Sequence, residues 1–267
     1  MDTIVPASLD IRGIRLLNLA MDEALAAIDV ALAARQPTRI SFVNADCVNI
    51  AAGDASYREA LAGTDWVFID GIGMRIAGRI MDQPVRDNVN GTDLFPRLCE
   101  SLAQQGKRLF LYGAQPGVAA AAAGWAEARF PGLQIAGTLH GYQPAGAEAE
   151  AEAIAAIRAS LADVVLVGLG APAQEAWIAR NHDKTGATVA IGVGGLFDYY
   201  SGRISRAPLW MRRSGLEWLF RLRQEPRRLW RRYIVGNAVF LSRIAADRLR
   251  AGFRPSPVGQ RSLRRWS

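Results

Sequence analysis

The sequence predicts an α/β fold, with a doubly wound, mostly parallel, Rossmann-like sheet followed by a basic helical C-terminal appendage. The first observation is a series of short apolar runs without polar alternation, as expected of parallel strands covered on both faces. The second is that segments with helical spacing separate these runs, so strands and helices alternate. The third is a change of composition near residue 202, after which the strand pattern stops and arginine, tryptophan and leucine dominate.

Helical spacing recurs along the chain. The first helix opens on Asp22 and Glu23, and acids in a first turn favour a helix. A later helix, around residue 119, is rich in alanine, the strongest helix former. In order, the predicted helices cover residues 21–34, about 46–62, 74–81, about 94–104, 119–129 and 147–160.

Each predicted strand is a short apolar run, and most of the runs end at a glycine turn or a polar residue. The run RISFVN is the first core strand in this prediction. In order, the predicted strands cover residues 39–44, 66–70, 107–113, 134–139, 164–167 and 187–195. Six strands alternating with helices require right-handed crossovers and helices on both faces of the sheet.

The most informative stretch is DVVLVGLGAPAQEAWI, residues 163–178, which predicts a buried strand, a glycine turn and a helix start. Gly168 and Gly170 permit tight backbone geometry, and free N–H groups at the helix start can hold an anion. Gln174 and Glu175 fall in the first helical turn, where side chains can face a ligand over the carboxyl ends of the strands. An ordinary turn between a strand and a helix is the alternative interpretation.

An acid stands at the end of another predicted strand. Asp70 closes the run WVFID and precedes Gly71, so its carboxylate is a candidate functional group at the ligand-binding edge of the sheet. The alternative interpretation of Asp70 is an N-cap for the helix at residues 74–81. Asn90 and Asp93, in the polar loop DNVNGTD, are open to the same alternative as turn or cap residues.

The net charge of +7 conceals a strong asymmetry along the chain. Residues 201–267 carry seventeen arginines, no lysine and three acids, a net charge of +14, whereas residues 1–200 carry −7. So basic a segment is typical of binding to phosphate, whether in nucleic acid, anionic lipid or a diphosphate substrate. We therefore predict an α/β catalytic domain over residues 1–202 and an Arg/Trp-rich helical, membrane-associating appendage over residues 203–267.

Several function classes lack their sequence signals. The glycines after Asp70 do not complete the dinucleotide-binding fingerprint, and no Gly-x-Ser-x-Gly motif marks a hydrolase nucleophile. No Asp-x-Asp motif and no metal-binding cysteine or histidine spacing occurs, so we predict no metal and no cofactor. Two cysteines in apolar surroundings fit a reducing cytoplasm, and the start of the chain lacks a signal-peptide pattern. The apolar run at residues 233–241 is shorter than the roughly 20 residues that a membrane span needs.

The remaining features suit transfer from a nucleoside-diphosphate donor to an alcohol. The attacking hydroxyl needs a general base, for which Asp70 is the natural candidate. The departing diphosphate needs charge stabilisation, which helix N-termini and arginines supply without a metal. One carboxylate without a second nucleophilic acid favours direct displacement with inversion. Arg221, Arg228 and Arg232 are spaced by seven and four residues, so a kink at Pro226 would let them share one face toward the diphosphates.

A series of short motifs occurs in order over about residues 44–232. They are Asn44-Ala45-Asp46, Asp70-Gly71, Asn90-Gly91-Thr92-Asp93, Gly113 with Pro116-Gly117, Gly141-Tyr142, Gly168-Leu169-Gly170-Ala171-Pro172 with Gln174-Glu175, Gly194-Gly195 with Phe197-Asp198, Arg206-Ala207-Pro208, and Glu217-Trp218 through Arg232. With these motifs the chain resembles the WecG/TagA/CpsF family of bacterial glycosyltransferases.

The resemblance implies an inverting, metal-independent transfer of a sugar from a UDP-sugar to a polyprenyl-diphosphate-linked saccharide, in cell-surface or exopolysaccharide synthesis. It implies that Asp70 is the base, that Gln174 is the family's loop glutamine, and that Tyr142 and Asp198 contact uridine. The other candidate substrate-binding residues are Asn44, Gly71, Asn90, Gly113, Gly170, Gly194, Gly195, Arg206, Arg221, Arg228 and Arg232.

The expected partners are the UDP-sugar donor, the lipid-linked acceptor and an anionic membrane surface, with no nucleic acid. The expected location is the cytoplasm, peripheral on the inner face of the bacterial cell membrane, and a homo-oligomer stays an open alternative. Two departures from the family pattern leave the sugars open: Ser41-Phe42-Val43 stands where a threonine commonly precedes the first asparagine, and Ala173 where a lysine precedes Gln174. N-acetylmannosamine, its uronic acid and glucose are the expected donor sugars.

Two other functions remain as alternatives. Seventeen arginines with several tryptophans in the appendage suit a nucleic-acid-binding protein that contacts phosphates and stacks bases. A nucleotide-linked oxidoreductase is the second alternative, since glycine turns follow several strands. The acidic α/β body with a ligand-ready sheet edge favours the transferase over both.

Overall fold

A computed structural model of the chain describes residues 7–142 and 146–252, and within them eight strands form one sheet. The strands are β1 (Ser8–Ile11), β2 (Ile14–Leu17), β3 (Thr38–Val43), β4 (Trp66–Ile69), β5 (Arg108–Gly113), β6 (Gln134–Leu139), β7 (Val164–Gly168) and β8 (Val189–Gly192). Their order in the sheet is β1-β2-β4-β3-β8-β7-β5-β6, and every neighbouring pair is parallel except β1 with β2. The predicted α/β fold with a mostly parallel sheet is therefore confirmed.

The hairpin β1–β2 was not predicted, so the count of six strands was wrong. Residues 39–44, predicted as the first core strand, belong to the third strand along the chain. The turn of the hairpin is held by Asp10, whose Oδ1 accepts a hydrogen bond from the N–H of Gly13 at 2.9 Å. Each hairpin strand has only four residues, and polar side chains interrupt the apolar ones in both, unlike the continuous apolar runs of the central strands.

Helices cover both faces of the sheet. On the first face lie α1 (Met21–Ala33), α5 (Gly91–Gln105), α6 (Val118–Arg129) and α9 (Leu196–Tyr200). On the second face lie α2 (Ala45–Gly53), α3 (Ala55–Ala62), α4 (Ile72–Ile80), α7 (Ala147–Ser160) and α8 (Ala173–Thr185). Apolar side chains project from both faces of every central strand. Each face of the sheet therefore packs against its helices through its own hydrophobic core.

The helix predicted over residues 46–62 is two helices in the structure. Asp54 lies between α2 and α3 in an extended conformation, and its side chain accepts a hydrogen bond from the N–H of Tyr57 at 3.0 Å. Asp54 therefore ends one helix and caps the next, because an N-cap aspartate satisfies a backbone donor that the helix itself leaves free.

The C-terminal part of the described chain consists of helices, as the sequence predicts. They are α10 (Leu209–Arg213), α11 (Glu217–Gln224), α12 (Pro226–Trp230), a π-helical turn at Arg231–Gly236, and α13 (Asn237–Gly252). Helix α13 packs on α2 and α4, where Phe240 and Ile244 are buried in the core of the second face. The boundary at residue 202 stays a prediction, but the segment after it contributes side chains to the core.

Membrane spans were searched for in the described helices. Over residues 7–142 and 146–252, none is long and apolar enough to cross a bilayer.

Candidate active site

A cleft of about 410 Å³ opens at the carboxyl ends of β4, β3, β8 and β7, which are adjacent in the sheet. Helices α10, α11 and α12 and the π-helical turn supply its opposite wall. The predicted site residues that line it are Asn44, Asp70, Gly71, Asn90, Gly170, Gln174, Gly194, Gly195, Arg221, Arg228 and Arg232. Residues far apart in the sequence thus meet where parallel α/β sheets hold their ligands.

Asp70 lies directly after β4, beside the end of β3. Its N–H donates to the carbonyl oxygen of Val43 at 2.9 Å, which continues the ladder between the two strands by one residue. The next residue, Gly71, has a φ of +92° and precedes α4 without any side-chain cap. Helix α4 therefore takes no cap from Asp70, and the carboxylate is left to the cleft.

The turn after Asp70 is fixed from the neighbouring loop. The N–H of Gly71 donates a hydrogen bond to Oδ1 of Asn88 at 2.6 Å, and Asn88 itself lines the cleft. A left-handed φ suits glycine and strains other residues, so Gly71 is the residue type that this turn requires. Asn88 was not predicted as a site residue, because only the second of the two asparagines in the loop DNVNGTD, Asn90, belongs to the motif that carries the family resemblance.

The surroundings of Asp70 make its carboxyl a weaker acid than usual. Burial is the main cause and raises the pKa of Asp70 to about 6, with the charges of Glu217 and Asp93 acting in the same direction. The side chain of Asn44 and the charge of Arg232 oppose this shift. A carboxyl with this pKa is mostly ionised near neutral pH and binds a proton more readily than an exposed aspartate, as a general base should.

Asn44 and Asn90 act as helix caps at the edge of the cleft. Oδ1 of Asn44 accepts hydrogen bonds from the N–H groups of Asp46 and Cys47, at 3.0 and 3.2 Å. Asn90 caps α5, because its Oδ1 accepts from the N–H of Asp93 at 2.8 Å and its Nδ2 donates to the Asp93 carboxylate at 2.8 Å. The cap interpretation of Asn90 and Asp93 therefore describes their contacts, although Asn90 also borders the cleft.

Gln174 does not present a free amide to the cleft. Its Oε1 accepts hydrogen bonds from the N–H of Gly170 at 3.2 Å and from the N–H of Gly194 at 2.8 Å. It thereby ties the turn after β7 to the turn after β8. The expectation that free N–H groups in the first turn hold an anion does not extend to Gly170 and Gly194, whose N–H groups are directed at Gln174.

Arginines form the wall opposite the sheet. The guanidinium of Arg221 lies over the ring of Tyr199, 5.1 Å from its centroid, and a Cβ on Gly195 would lie 3.2 Å from Nη2 of Arg221. Arg232 Nε lies 3.0 Å from Asp46 Oδ2, and Arg228 pairs with Glu225 at 2.8 Å. The three arginines predicted to share one face therefore all line the same cleft.

A second layer of charged side chains connects this wall to α5. Arg206 donates to Asp93 at 2.8 Å and lies 3.4 Å from Glu217 on α11, while Arg212 donates to Asp93 at 3.2 Å. Burial raises the pKa of Asp93, but hydrogen bonds and charges from Asn90, Arg206 and Arg212 outweigh it and hold the pKa below its usual range. Arg206 itself does not line the cleft. It joins the C-terminal helices to the body of the protein.

Three other predicted site residues lie outside the cleft lining. Gly113 ends β5 with a φ of +131°, and a Cβ there would come within 2.5 Å of the backbone of Gly168. Tyr142 follows β6 and is 66% exposed. Asp198 lies 3.6 Å from Arg203. Gly113 is thus required by the close approach of the Gly168 backbone. The uridine contacts of Tyr142 and Asp198 stay predictions.

Several residues that line the cleft are not among the predicted site residues. Glu217 and Arg212 line the cleft from the C-terminal helices, and Asp46 lines it from α2. Glu217 carried one usable signal, since it is one of only three acids among residues 201–267. Within residues 7–142 and 146–252, no group of three or more His, Cys, Asp and Glu side chains is arranged to hold a metal ion.

Comparison with known proteins finds a family and several named relatives. The model of the family described as "Glycosyl transferase WecG/TagA/CpsF family" matches residues 9–254. A protein of Bacillus spizizenii is 37% identical over 178 residues, which cover 67% of each chain. A protein of Bacillus subtilis is 32% identical, over 82% of this chain and 83% of its own, and one of Staphylococcus aureus is 27% identical, over 90% and 92%. All three are named N-acetylglucosaminyldiphosphoundecaprenol N-acetyl-beta-D-mannosaminyltransferase.

Proposed function

The chain belongs to the WecG/TagA/CpsF family of glycosyl transferases, and on that premise we propose that it moves a sugar from a UDP-sugar to a saccharide on a polyprenyl diphosphate. The observation that carries this proposal is the cleft, which the Asp70 carboxylate lines from the sheet and four arginines, Arg212, Arg221, Arg228 and Arg232, line from the C-terminal helices. N-acetylmannosamine is the first donor sugar to test, because the relatives are named for its transfer to N-acetylglucosaminyldiphosphoundecaprenol. Its uronic acid and glucose remain the alternative donor sugars.

The transfer proceeds in one displacement. Asp70 accepts the proton of the acceptor hydroxyl while the hydroxyl oxygen attacks the anomeric carbon of the donor sugar. The bond from that carbon to the diphosphate oxygen breaks, UDP leaves with the electron pair, and the configuration inverts. Arg221 and Arg232 lie on the cleft wall where cations stabilise the charge that develops on the leaving diphosphate. Tyr142 and Asp198 remain the proposed uridine contacts.

The acceptor is carried by lipid, so we place the protein on the inner face of the cell membrane. Several large apolar side chains of the C-terminal helices are exposed: Leu209, Trp210, Leu219, Trp230, Ile234 and Leu249. Arginines are interleaved with them along the sequence. Apolar side chains bury at the interface while arginines meet anionic headgroups, so this segment is the proposed membrane-associating appendage.

We expect the double variant Trp210→Ser/Trp230→Ser to bind anionic vesicles at least about tenfold more weakly than the wild type, because two interfacial anchors are lost. Co-sedimentation with vesicles containing phosphatidylglycerol measures the effect. Leu161→Ser is the matched control, since Leu161 is 72% exposed but lies at the end of α7. Equal binding by the double variant and the control would remove these helices from the membrane contact.

Transfer itself is tested with purified protein, UDP-N-acetylmannosamine and a short-chain polyprenyl-diphosphate N-acetylglucosamine acceptor. We expect a disaccharide product whose new linkage is inverted relative to the donor, detected by mass spectrometry and assigned by NMR. The other two donor sugars are assayed in parallel. Product formation should be unchanged by EDTA, because arginines rather than a metal are assigned to the diphosphate. Loss of activity in EDTA with recovery on adding Mg²⁺ or Mn²⁺ would contradict that assignment.

The rate should depend on pH through Asp70. Because its pKa is raised to about 6, the base form is lost below about pH 6, and kcat/KM should fall about tenfold per unit of pH below that point. Glu217→Gln removes a negative charge that raises the pKa of Asp70, so it should move this limb to lower pH. Glu127→Gln, on the exposed side of α6, is the control and should leave the limb in place. If the acid limb of the pH profile of Glu217→Gln is unchanged or moves to higher pH, the assignment of that limb to Asp70 is contradicted.

A further inference from the structure

A buried carboxyl lies directly behind Gln174 and has no part in the transfer chemistry described above. Glu175 is 2% exposed, and its Oε1 accepts a hydrogen bond from Nε2 of Gln174 at 2.8 Å. Its other oxygen, Oε2, is also buried, and no described residue donates a hydrogen bond to it. Burying a carboxyl with half of its hydrogen-bonding capacity unused is costly, so the position calls for an explanation.

The hydrogen bonds of Gln174 have only one arrangement that works. Its Oε1 faces two backbone donors, the N–H groups of Gly170 and Gly194, so the amide NH₂ must lie on the other side. A flipped amide would direct NH₂ at those two N–H groups, which are donors as well. On the side that NH₂ must occupy, the acceptor is Glu175. The carboxyl of Glu175 therefore selects the orientation of the Gln174 amide.

The space around Gln174 leaves little room for another arrangement. A Cβ on Gly192 would lie 2.9 Å from Nε2 of Gln174, so the amide fills a slot that the glycine at the end of β8 leaves open. The Gln174 side chain is itself 4% exposed. An amide confined in this way depends on its remaining neighbours to keep one rotamer and one orientation.

The environment of Glu175 is apolar and, within the described part of the chain, lacks a cationic partner. Burial raises its pKa, and the hydrogen bond from Gln174 only partly opposes that shift. The nearby groups include the Cys47 thiol and the Tyr57 hydroxyl, both buried, and burial raises the pKa of Cys47 to about 11. Among the described residues, no lysine or arginine forms an ion pair with Glu175.

We propose that Glu175 is a positioning residue for the donor site: it orients the Gln174 amide, which holds the Gly170 and Gly194 turns at the spacing that the donor diphosphate requires. The chain of contacts runs from Glu175 to Gln174 and from Gln174 to both turns. Both turns line the cleft, whereas Glu175 does not. Its effect on transfer therefore acts through Gln174, and the kinetic part of its test rests on the proposed transferase function.

Glu175→Leu and Glu175→Gln separate positioning from simple packing. Leucine fills a similar volume but removes the acceptor for Nε2 of Gln174, which leaves that buried N–H group without a partner. Glutamine supplies the same acceptor at nearly the same volume. Glu175→Met, with an adaptable side chain, is the second apolar variant should the leucine variant not fold. The matched control is His182→Leu, since His182 is buried on the same helix but bonds the carbonyl oxygen of Ala187.

The first measurement needs no substrate. Amide hydrogen exchange, followed by NMR on ¹⁵N-labelled full-length protein, reports whether the N–H groups of Gly170 and Gly194 keep their acceptor. We expect Glu175→Leu to speed exchange at both amides by about tenfold, the value of one lost hydrogen bond, while Glu175→Gln stays close to the wild type. The His182→Leu control should leave both amides unchanged. Unchanged exchange at Gly170 and Gly194 in the leucine and methionine variants would overturn the proposal.

The second measurement is the kinetics of transfer. With Glu175→Leu we expect the KM for the donor to rise about tenfold with kcat within about threefold, and Glu175→Gln to restore the lower KM. A purely structural role predicts a lowered melting temperature with an unchanged KM in both variants, and that result would overturn the proposal. If the wild type transfers none of the donor sugars, the proposed function has failed, and the exchange rates alone decide the role of Glu175.

Discussion

Replacing Asp70 by asparagine should reduce kcat/KM by about 10²–10⁴-fold, the usual contribution of a general base, while leaving the fold and the affinity for UDP nearly intact. Asparagine keeps the shape of the side chain but cannot take the proton of the acceptor hydroxyl. The position of Asp70 supports this expectation, since it directly follows β4, lines the cleft and does not cap α4. Transfer kinetics with the preferred donor, UDP binding by calorimetry and thermal unfolding measure the three quantities.

Asp54→Asn is the matched control, because Asp54 undergoes the same acid-to-amide change at the cap of α3, outside the cleft. Asparagine caps helices about as well as aspartate, so the control should change neither activity nor stability by much. Near-normal turnover by Asp70→Asn would mean that another group, or water, takes the proton. A variant that fails through unfolding would show itself in the melting temperature and would be replaced by Asp70→Ser.

The central sheet could be predicted because parallel strands that are covered on both faces consist of uninterrupted apolar residues. WVFI and VVLVG are fully buried in the structure, and both are predicted from their runs of apolar residues without polar alternation. The hairpin β1–β2 was not predicted because its strands have four residues each, with only two buried positions in β1 and three in β2. The division of the predicted helix into α2 and α3 was not predicted. The residues on either side of Asp54 keep helical spacing, and a single cap residue decides where one helix ends.

A site residue could be predicted from the sequence where it directly follows a strand of the parallel sheet, because the carboxyl ends of the strands border the cleft. Asp70 follows the end of a strand, so its arrival at the cleft is a consequence of the fold class. Gln174 shows the limit of this reasoning. The sequence predicts that it lies near the cleft, but it does not predict the groups that hydrogen-bond to its amide. Glu217 and Arg212 show another limit, since their positions depend on how the C-terminal helices fold back over the sheet, which no local pattern encodes.

Deleting the whole C-terminal segment would be a poor test of its role. Phe240 and Ile244 of α13 are buried in the core beneath α2 and α4, so a protein ending near residue 203 would expose that core. Removing buried side chains of this size typically costs about 2–5 kcal/mol each, a large part of the stability of a domain. Point variants on α11 test the contribution of the segment to transfer without disturbing the core.

Arg221→Gln is expected to lower kcat by about 10²–10³-fold, comparable to the loss of one donor that stabilises a developing anion. Arg221 reaches the cleft from α11, lies over the ring of Tyr199 and packs against Gly195, so its guanidinium is held at the turn that follows β8. The leaving diphosphate gains charge as its bond to the sugar breaks, and a fixed guanidinium stabilises that charge with two parallel donors. Arg221→Lys keeps the charge but loses the fork, so we expect it to recover only part of the rate.

Arg223→Gln is the matched control, because Arg223 is exposed on the same helix and does not line the cleft. It removes the same charge from α11, so it should leave kcat unchanged and separate a local effect from the general positive field of the segment. If Arg221 serves only to attach α11 to the body through Tyr199, the glutamine variant will lose thermal stability and keep its kcat. A kcat for Arg221→Gln within about threefold of the wild type would therefore remove this arginine from the stabilisation of the leaving group, because that stabilisation is worth far more than threefold.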